Sequence, residues 1–329
     1  MTDLDPAEFF ESARRAAASC AGGTAAEQAA RLAEDGLLGV LAPEAAGGLA
    51  LPLRFAVPVV AAASGALLSL PLVETLLLAR IAPVPIAAAL VAGETIGTIS
   101  WDCAVDACET SDGVVLDGVV GRAPGTRDAG WVLARLRDGR AALVATSAGG
   151  LAVGDADGFD LAVPEGMLRL TGVAVPSAHV LPADACDGLI VDAEVLRAAA
   201  MLGSAELCLA AAVEHATNRR QFGKALIANQ AMRHLLARQK LQLENLRGVL
   251  NRALAPNAAP IAARVAFAAA CQYGPAIIEG AIQVHGGMGF TWDLDLHRHL
   301  RHLRMLEAHG DGRGVRAAIA AHLIDSNAA

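Results

Sequence analysis

The chain has 329 residues, with 26 Lys and Arg against 34 Asp and Glu, a formal charge of −8. That length supports a sizeable core in two or three packed layers. An acidic chain without a basic tract lacks the cations that neutralise a phosphate backbone, which argues against a nucleic-acid role. Apolar residues make up 54% and aromatics 3%, and the Ala and Leu among them favour helices.

The N-terminal stretch is acidic and has no apolar run, so no signal peptide is read there. Asp5-Pro6-Ala7-Glu8 predicts a helix start, with proline in the first turn beside an acid. Thr24-Ala-Ala-Glu27 has capping-box spacing. Phe55 to Val73 carries no charge over 19 residues, long enough to span a membrane. Pro58, Gly65 and Pro71 break it, and two buried helices parted at Ser69-Leu70-Pro71 fit better. The chain is expected to be soluble and cytoplasmic, with no membrane partner.

From about 94 the texture changes. Gly113–Gly118, Trp131–Arg135, Ala141–Ala145 and Met167–Val173 are short runs bounded by Gly and Asp. Their spacing predicts a small β-barrel or sandwich. Helical patterning returns near 189: Ala193–His215, Gln230–Leu254 ahead of Pro256, Ile261–Val284, Asp293–Leu306 and Arg313–Ile324. The expected fold is mainly α with a central β-domain: residues 1–93 helical, 94–188 β, 189–329 a C-terminal four-helix bundle. Cys20, Cys103, Cys108, Cys186, Cys208 and Cys271 form no CxxC pair and have no histidine at zinc spacing. They read as small buried residues of a reducing compartment, with no metal site.

Two segments carry chemistry. Arg219-Arg-Gln221-Phe222-Gly223 with Asn229-Gln230, and Gln283-Val284-His285-Gly286-Gly287-Met-Gly289-Phe-Thr291, resemble the flavin-binding stretches of acyl-CoA dehydrogenases. Leu32–Gly39 with Pro43-Glu44 resembles that family's N-terminal helical domain, and Val173–Pro176 with Val180–Pro182 the end of its β-domain. The resemblance is collinear over nearly the whole chain. It implies FAD as cofactor. Arg219 would fork onto pyrophosphate oxygens, Phe222 would pack on a ring and Gln230 would hydrogen-bond the flavin. Backbone N–H groups at Gly286 and Gly287 would meet the pyrophosphate. It also implies that the two segments come from different subunits around one flavin, hence at least a dimer. Taken singly, Arg219 reads as a solvated arginine, Phe222 as core, and His285-Gly286-Gly287 as a helix C-cap.

The chain departs from the family where the reaction needs a base. The family takes the α-proton of an acyl-CoA with a carboxylate and passes the β-hydride to flavin. Counting from Arg301, the usual glutamate falls on Gly310, with Glu307 three residues before and Asp311 one after. A second base position used in the family falls on Ala193, beside Glu194. Glu194 is the candidate catalytic residue, and an acid in the first turn of a helix is the competing reading. The glycine-rich loop that touches flavin and substrate is replaced by Ser100-Trp101-Asp102 through Glu109, and a later strand by Gly121–Asp128, where Trp101 and Arg127 are candidate substitutes. These departures resemble the short, degenerate partner of actinobacterial sterol-type acyl-CoA dehydrogenases built from two different subunits. Three readings stay open: a subunit of a heterotetramer acting on a sterol-derived CoA thioester, with a partner's base; a self-sufficient homo-oligomer using Glu194; a structural subunit without its own flavin. An electron-transfer flavoprotein is the expected electron acceptor.

Overall fold

The computed structural model describes residues 5–156 and 158–328. The first four residues, on which part of the leader reading rests, and the side chain of Cys103 lie outside the described residues. The chain divides into two compact units, Met1–Ala193 and Glu194–Ala329.

The first unit opens with α1 (Pro6–Cys20) and α2 (Ala25–Glu34). Asp5 caps α1 by accepting the Ala7 N–H. Thr24 and Glu27 cap α2 reciprocally, satisfying two N–H groups that a helix start leaves orphaned. The uncharged stretch becomes α3 (Ala56–Gly65) and α4 (Leu72–Ile81), which is preceded by Pro71; α5 (Val84–Val91) follows. Leu76, Leu77, Leu78 and Ala79 of α4 are all fully buried, so that turn of the helix is apolar on every side because it is covered on every side.

Seven strands form one sheet in the order β5-β6-β2-β1-β3-β4-β7. They are β1 (Gly97–Glu109), β2 (Gly113–Pro124), β3 (Trp131–Leu136), β4 (Ala141–Ala145), β5 (Leu151–Asp155), β6 (Glu165–Pro176) and β7 (Val180–Leu181). All neighbours are antiparallel except β1 and β3. Val132 and Val144 share one core with Leu168 and Leu170, although β3 and β4 lie far from β6 in sheet order. The sheet therefore curls around its own core in a barrel-like manner. The expected helical and β regions are one compact unit because α4 docks on β1: Thr75 Oγ1 donates to the Gly97 carbonyl at 3.0 Å, and Trp101 Nε1 to Glu74 Oε1 at 3.2 Å.

A long helix, α6 (Ala183–Asn218), contains the division between the units. The second unit continues with a two-strand hairpin, β8 (Arg220–Gln221) and β9 (Lys224–Ala225). It ends with α7 (Gln230–Ala253), α8 (Pro260–His285), α9 (Leu296–His309) and α10 (Gly312–Ala328). Gln239 of α7 donates to the Ile277 carbonyl of α8, and only glycine fits opposite it, since a Cβ on Gly280 would lie 1.6 Å from Gln239 Nε2.

Candidate flavin segments and candidate base

The residues around Arg219 form a tight hairpin. The Arg219 N–H donates to the His215 carbonyl at 2.8 Å, extending the last turn of α6, and the Leu226 N–H donates back to the Arg219 carbonyl at 2.9 Å. Phe222 and Gly223 make the turn with φ of +52° and +76°. Two positive φ values define the turn type that matches strand twist and prefers Asn-Gly. A Cβ on Gly223 would meet no atom of the chain, so within the chain its requirement is the positive φ. A β-carbon in this region costs about 1 kcal/mol. Phe222 bears that cost while 97% exposed, so the reading of Phe222 as core fails. Arg219, Gln221 and Gln230 are exposed as well, whereas Asn229 turns inward and its amide donates to the Leu226 carbonyl at 3.2 Å.

The second segment is the end of α8. Gln283 is exposed, and Val284 is buried and can offer a ligand only its backbone. His285 Nδ1 lies 2.8 Å from the Ala281 carbonyl, which fixes the proton on that nitrogen. Gly286 ends the helix at φ +64°, the C-cap geometry read from the sequence. Gly287 has no such requirement: a Cβ there meets no atom of the chain. Exposed donors around a backbone that needs no glycine for its own packing fit a ligand that lies against it. Within this chain the ends of α6 and α8 meet: the His215 and His285 rings stand 4.4 Å apart, tilted by 35°. Nothing in the sequence patterning marked His215.

Gly310 is closed. It follows the last residue of α9, and a Cβ on it would stand 2.3 Å from Phe267 Cζ, with Phe267 fully buried. A glutamate there would require the ring to move. The two nearby acids are committed. Glu307 accepts from Arg304 at 2.9 Å and from Arg316 at 3.4 Å. Asp311 caps α10 by accepting the Gly314 N–H at 3.1 Å.

Glu194 is different. The reading of it as a first-turn acid fails, because α6 begins eleven residues earlier, at Ala183. Its side chain is 3% exposed, with Oε1 3.8 Å from Arg264 Nε and Oε2 without a hydrogen-bond partner among the described residues. Burial lifts its carboxyl to about 7, against the opposing pull of Arg264 and Arg197. A carboxyl poised there, with one bare oxygen, has the properties of a general base.

The two candidate substitutes in the β-region differ in access. The segment Ser100–Glu109 is no loop but the body of β1, irregular in register between Ser100 and Val105. Trp101 is buried against Glu74, and Arg127 is exposed in the turn beyond β2.

Residues 193–322 match the family model for the acyl-CoA dehydrogenase C-terminal domain. The chain is 31% identical over 292 residues to acyl-CoA dehydrogenase FadE34 of Mycobacterium tuberculosis, covering 86% of this chain and 39% of that one. It is 34% identical over 126 residues to acyl-CoA dehydrogenase IpdE2 of the same organism, covering 38% of each. These matches span about two fifths of the curated relatives' length. The crystal structure of the ChsE4-ChsE5 complex from Mycobacterium tuberculosis superposes with a TM-score of 0.89 at 25% identity, covering 98% of both chains. The chain therefore has the acyl-CoA dehydrogenase fold from end to end, and its residues 193–322 belong to the acyl-CoA dehydrogenase C-terminal domain family.

Proposed function

We propose that this chain is one subunit of an FAD-dependent acyl-CoA dehydrogenase built from two different chains, acting on the α,β bond of a CoA thioester. The observation that carries this reading is the closed position at Gly310, where Phe267 fills the space a base would need. FAD, when bound, accepts the β-hydrogen as a hydride. This chain holds it: Arg219 grips pyrophosphate oxygens, Phe222 offers a ring face, and Gln221, Gln230 and Gln283 supply amide hydrogen bonds. The backbone N–H of Gly287 faces the same ligand, that of Gly286 being donated to the Ile282 and Gln283 carbonyls. Removal of the α-proton needs a carboxylate. With Glu307 and Asp311 committed, the partner subunit provides it.

Two comparisons support a partner. The FadE34 alignment uses 86% of this chain but 39% of that one, so that polypeptide is more than twice as long and can hold two such chains. ChsE4-ChsE5 is itself a complex of two chains. The substrate we assign, a bulky sterol-derived CoA thioester, and the acceptor, an electron-transfer flavoprotein, rest on the sequence resemblance.

The test is expression alone and with a candidate partner dehydrogenase. The chain alone is expected to be colourless or insoluble, and the complex yellow and active. Arg219→Ala in this chain should strip flavin from the complex. Full flavin content after that change would sink the proposal. One observation favours a second reading, a self-sufficient enzyme: the bare Oε2 of Glu194 and its carboxyl near 7. A yellow, active chain on its own that loses turnover with Glu194→Gln would establish it.

A further inference from the structure

We propose that His215 is a positioning residue: its neutral ring, packed against the ring of His285, clasps the Arg219 hairpin to the Gly286 turn, and protonation of His215 opens the clasp. This inference rests on the reading of both segments as flavin-binding.

The connection can be followed bond by bond. His285 is anchored to its own helix through Nδ1 and the Ala281 carbonyl at 2.8 Å. Its ring lies 4.4 Å from that of His215. The His215 carbonyl takes the Arg219 N–H at 2.8 Å, and the Arg219 carbonyl takes the Leu226 N–H at 2.9 Å, closing the hairpin. The ends of α6 and α8, which carry the two segments, are thus joined through one pair of rings. A neutral His215 ring packs against its neighbour, whereas a proton on it puts a charge in a half-buried setting that only opening to water solvates.

The charges that bear on His215 are His285 of α8 and Arg219 of its own chain end. Burial, the largest cause, opposes a proton on it, as do both of these charges, and together they hold its pKa below the ordinary histidine value. The C-terminal end of α6 favours a cation, but the net direction is downward. A depressed histidine leaves the clasp intact above the unfolded value of about 6.5 and loses it as pH falls through the lower folded value.

Hydrogen exchange on the full chain tests this without flavin. Protection factors, corrected for intrinsic exchange, would be followed for residues 216–226 from pH 7.5 to 5. We expect them to fall several-fold in the wild type. They should stay flat in His215→Phe, which keeps a ring and loses the titration, and in His285→Phe. A flat wild-type profile, or the wild-type slope in either folded variant, overturns the proposal. Flavin retention by the co-expressed complex separates this from the functional reading. With the pH-dependent opening present but no flavin bound at any pH, the functional reading fails and the clasp stands. With flavin bound and a flat exchange profile, the clasp fails and the functional reading stands.

Discussion

Glu194→Gln separates two physical roles for the buried carboxylate. The side chain is 3% exposed, and burial moves its carboxyl from 4.5 to about 7 despite Arg264 and Arg197. At about 1.4 kcal/mol per pH unit, the folded chain prefers the protonated form by about 3 kcal/mol. A folded value raised above the unfolded one means the native state binds the proton more tightly. The resulting stabilisation is full below the unfolded value and disappears as pH rises through about 7. Glutamine has nearly the same shape and stays neutral throughout. The variant should therefore match the wild type within about 1 kcal/mol at pH 5 and exceed it by about 3 kcal/mol at pH 8. Urea melts at pH 5, 6, 7 and 8 read the difference, and every other titrating group cancels in it. A variant less stable than the wild type at pH 8 would refute the reasoning. Glu194 would then be an anion well paired with Arg264, and no longer a candidate base.

Gly310→Ala should cost about 1–3 kcal/mol by overpacking against Phe267. In a double-mutant cycle Phe267→Leu should recover part of that loss, and strict additivity would mean the ring and the glycine do not share the space. Phe222→Asn should leave stability unchanged or raise it by about 1 kcal/mol, because asparagine suits the turn. The same change should lower flavin content in the complex, and unchanged flavin would remove the ring from the site. Gly280→Ala should destabilise the α7–α8 pair through Gln239, and Gln239→Ala in the same chain should relieve it; thermal melts decide. Thr24→Ala should cost about 1 kcal/mol, read the same way, because the Glu27 N–H loses the hydroxyl that accepts it while the Thr24 N–H to Glu27 half of the box stays.

The elements legible in the sequence were those set by local chemistry. The caps at Asp5 and Thr24 act within three residues, so composition alone reports them. The runs at 113, 131, 141 and 167 became strands because each is bounded by turn residues, and Pro256 lies beyond the end of α7. Elements that depend on partners were missed. β1 was read in part as a replaced loop: its alternation is interrupted at Ser100 to Val105, where the register against β3 slips, and only pairing with β2 and β3 holds it extended. α6 begins ten residues before the apolar pattern that starts at Ala193, because Gly188 and Asp192 dilute that pattern in its first turns.

The site divides in the same way. The hairpin of Phe222 and Gly223 is visible as a motif, but the two positive φ values its turn demands are not. His215 was invisible, being one of nine histidines, and only the approach of α8 distinguishes it. Gly310 shows the limit most clearly. A sequence can report that a glutamate is missing, but a missing carboxylate is compatible with an open site that a neighbour could complete from within the same chain. Phe267 lies 43 residues earlier, on another helix, and it is the ring at 2.3 Å from the absent Cβ that turns a missing residue into an occupied volume. An occupied volume excludes a base at that position in this chain, and with Glu307 and Asp311 held by their own partners the demand for a carboxylate passes either to Glu194 or to another subunit. The pH dependence of Glu194→Gln distinguishes the two on energetic grounds: a base held near 7 must be a strained anion at pH 8, and a structural ion-pair partner must not.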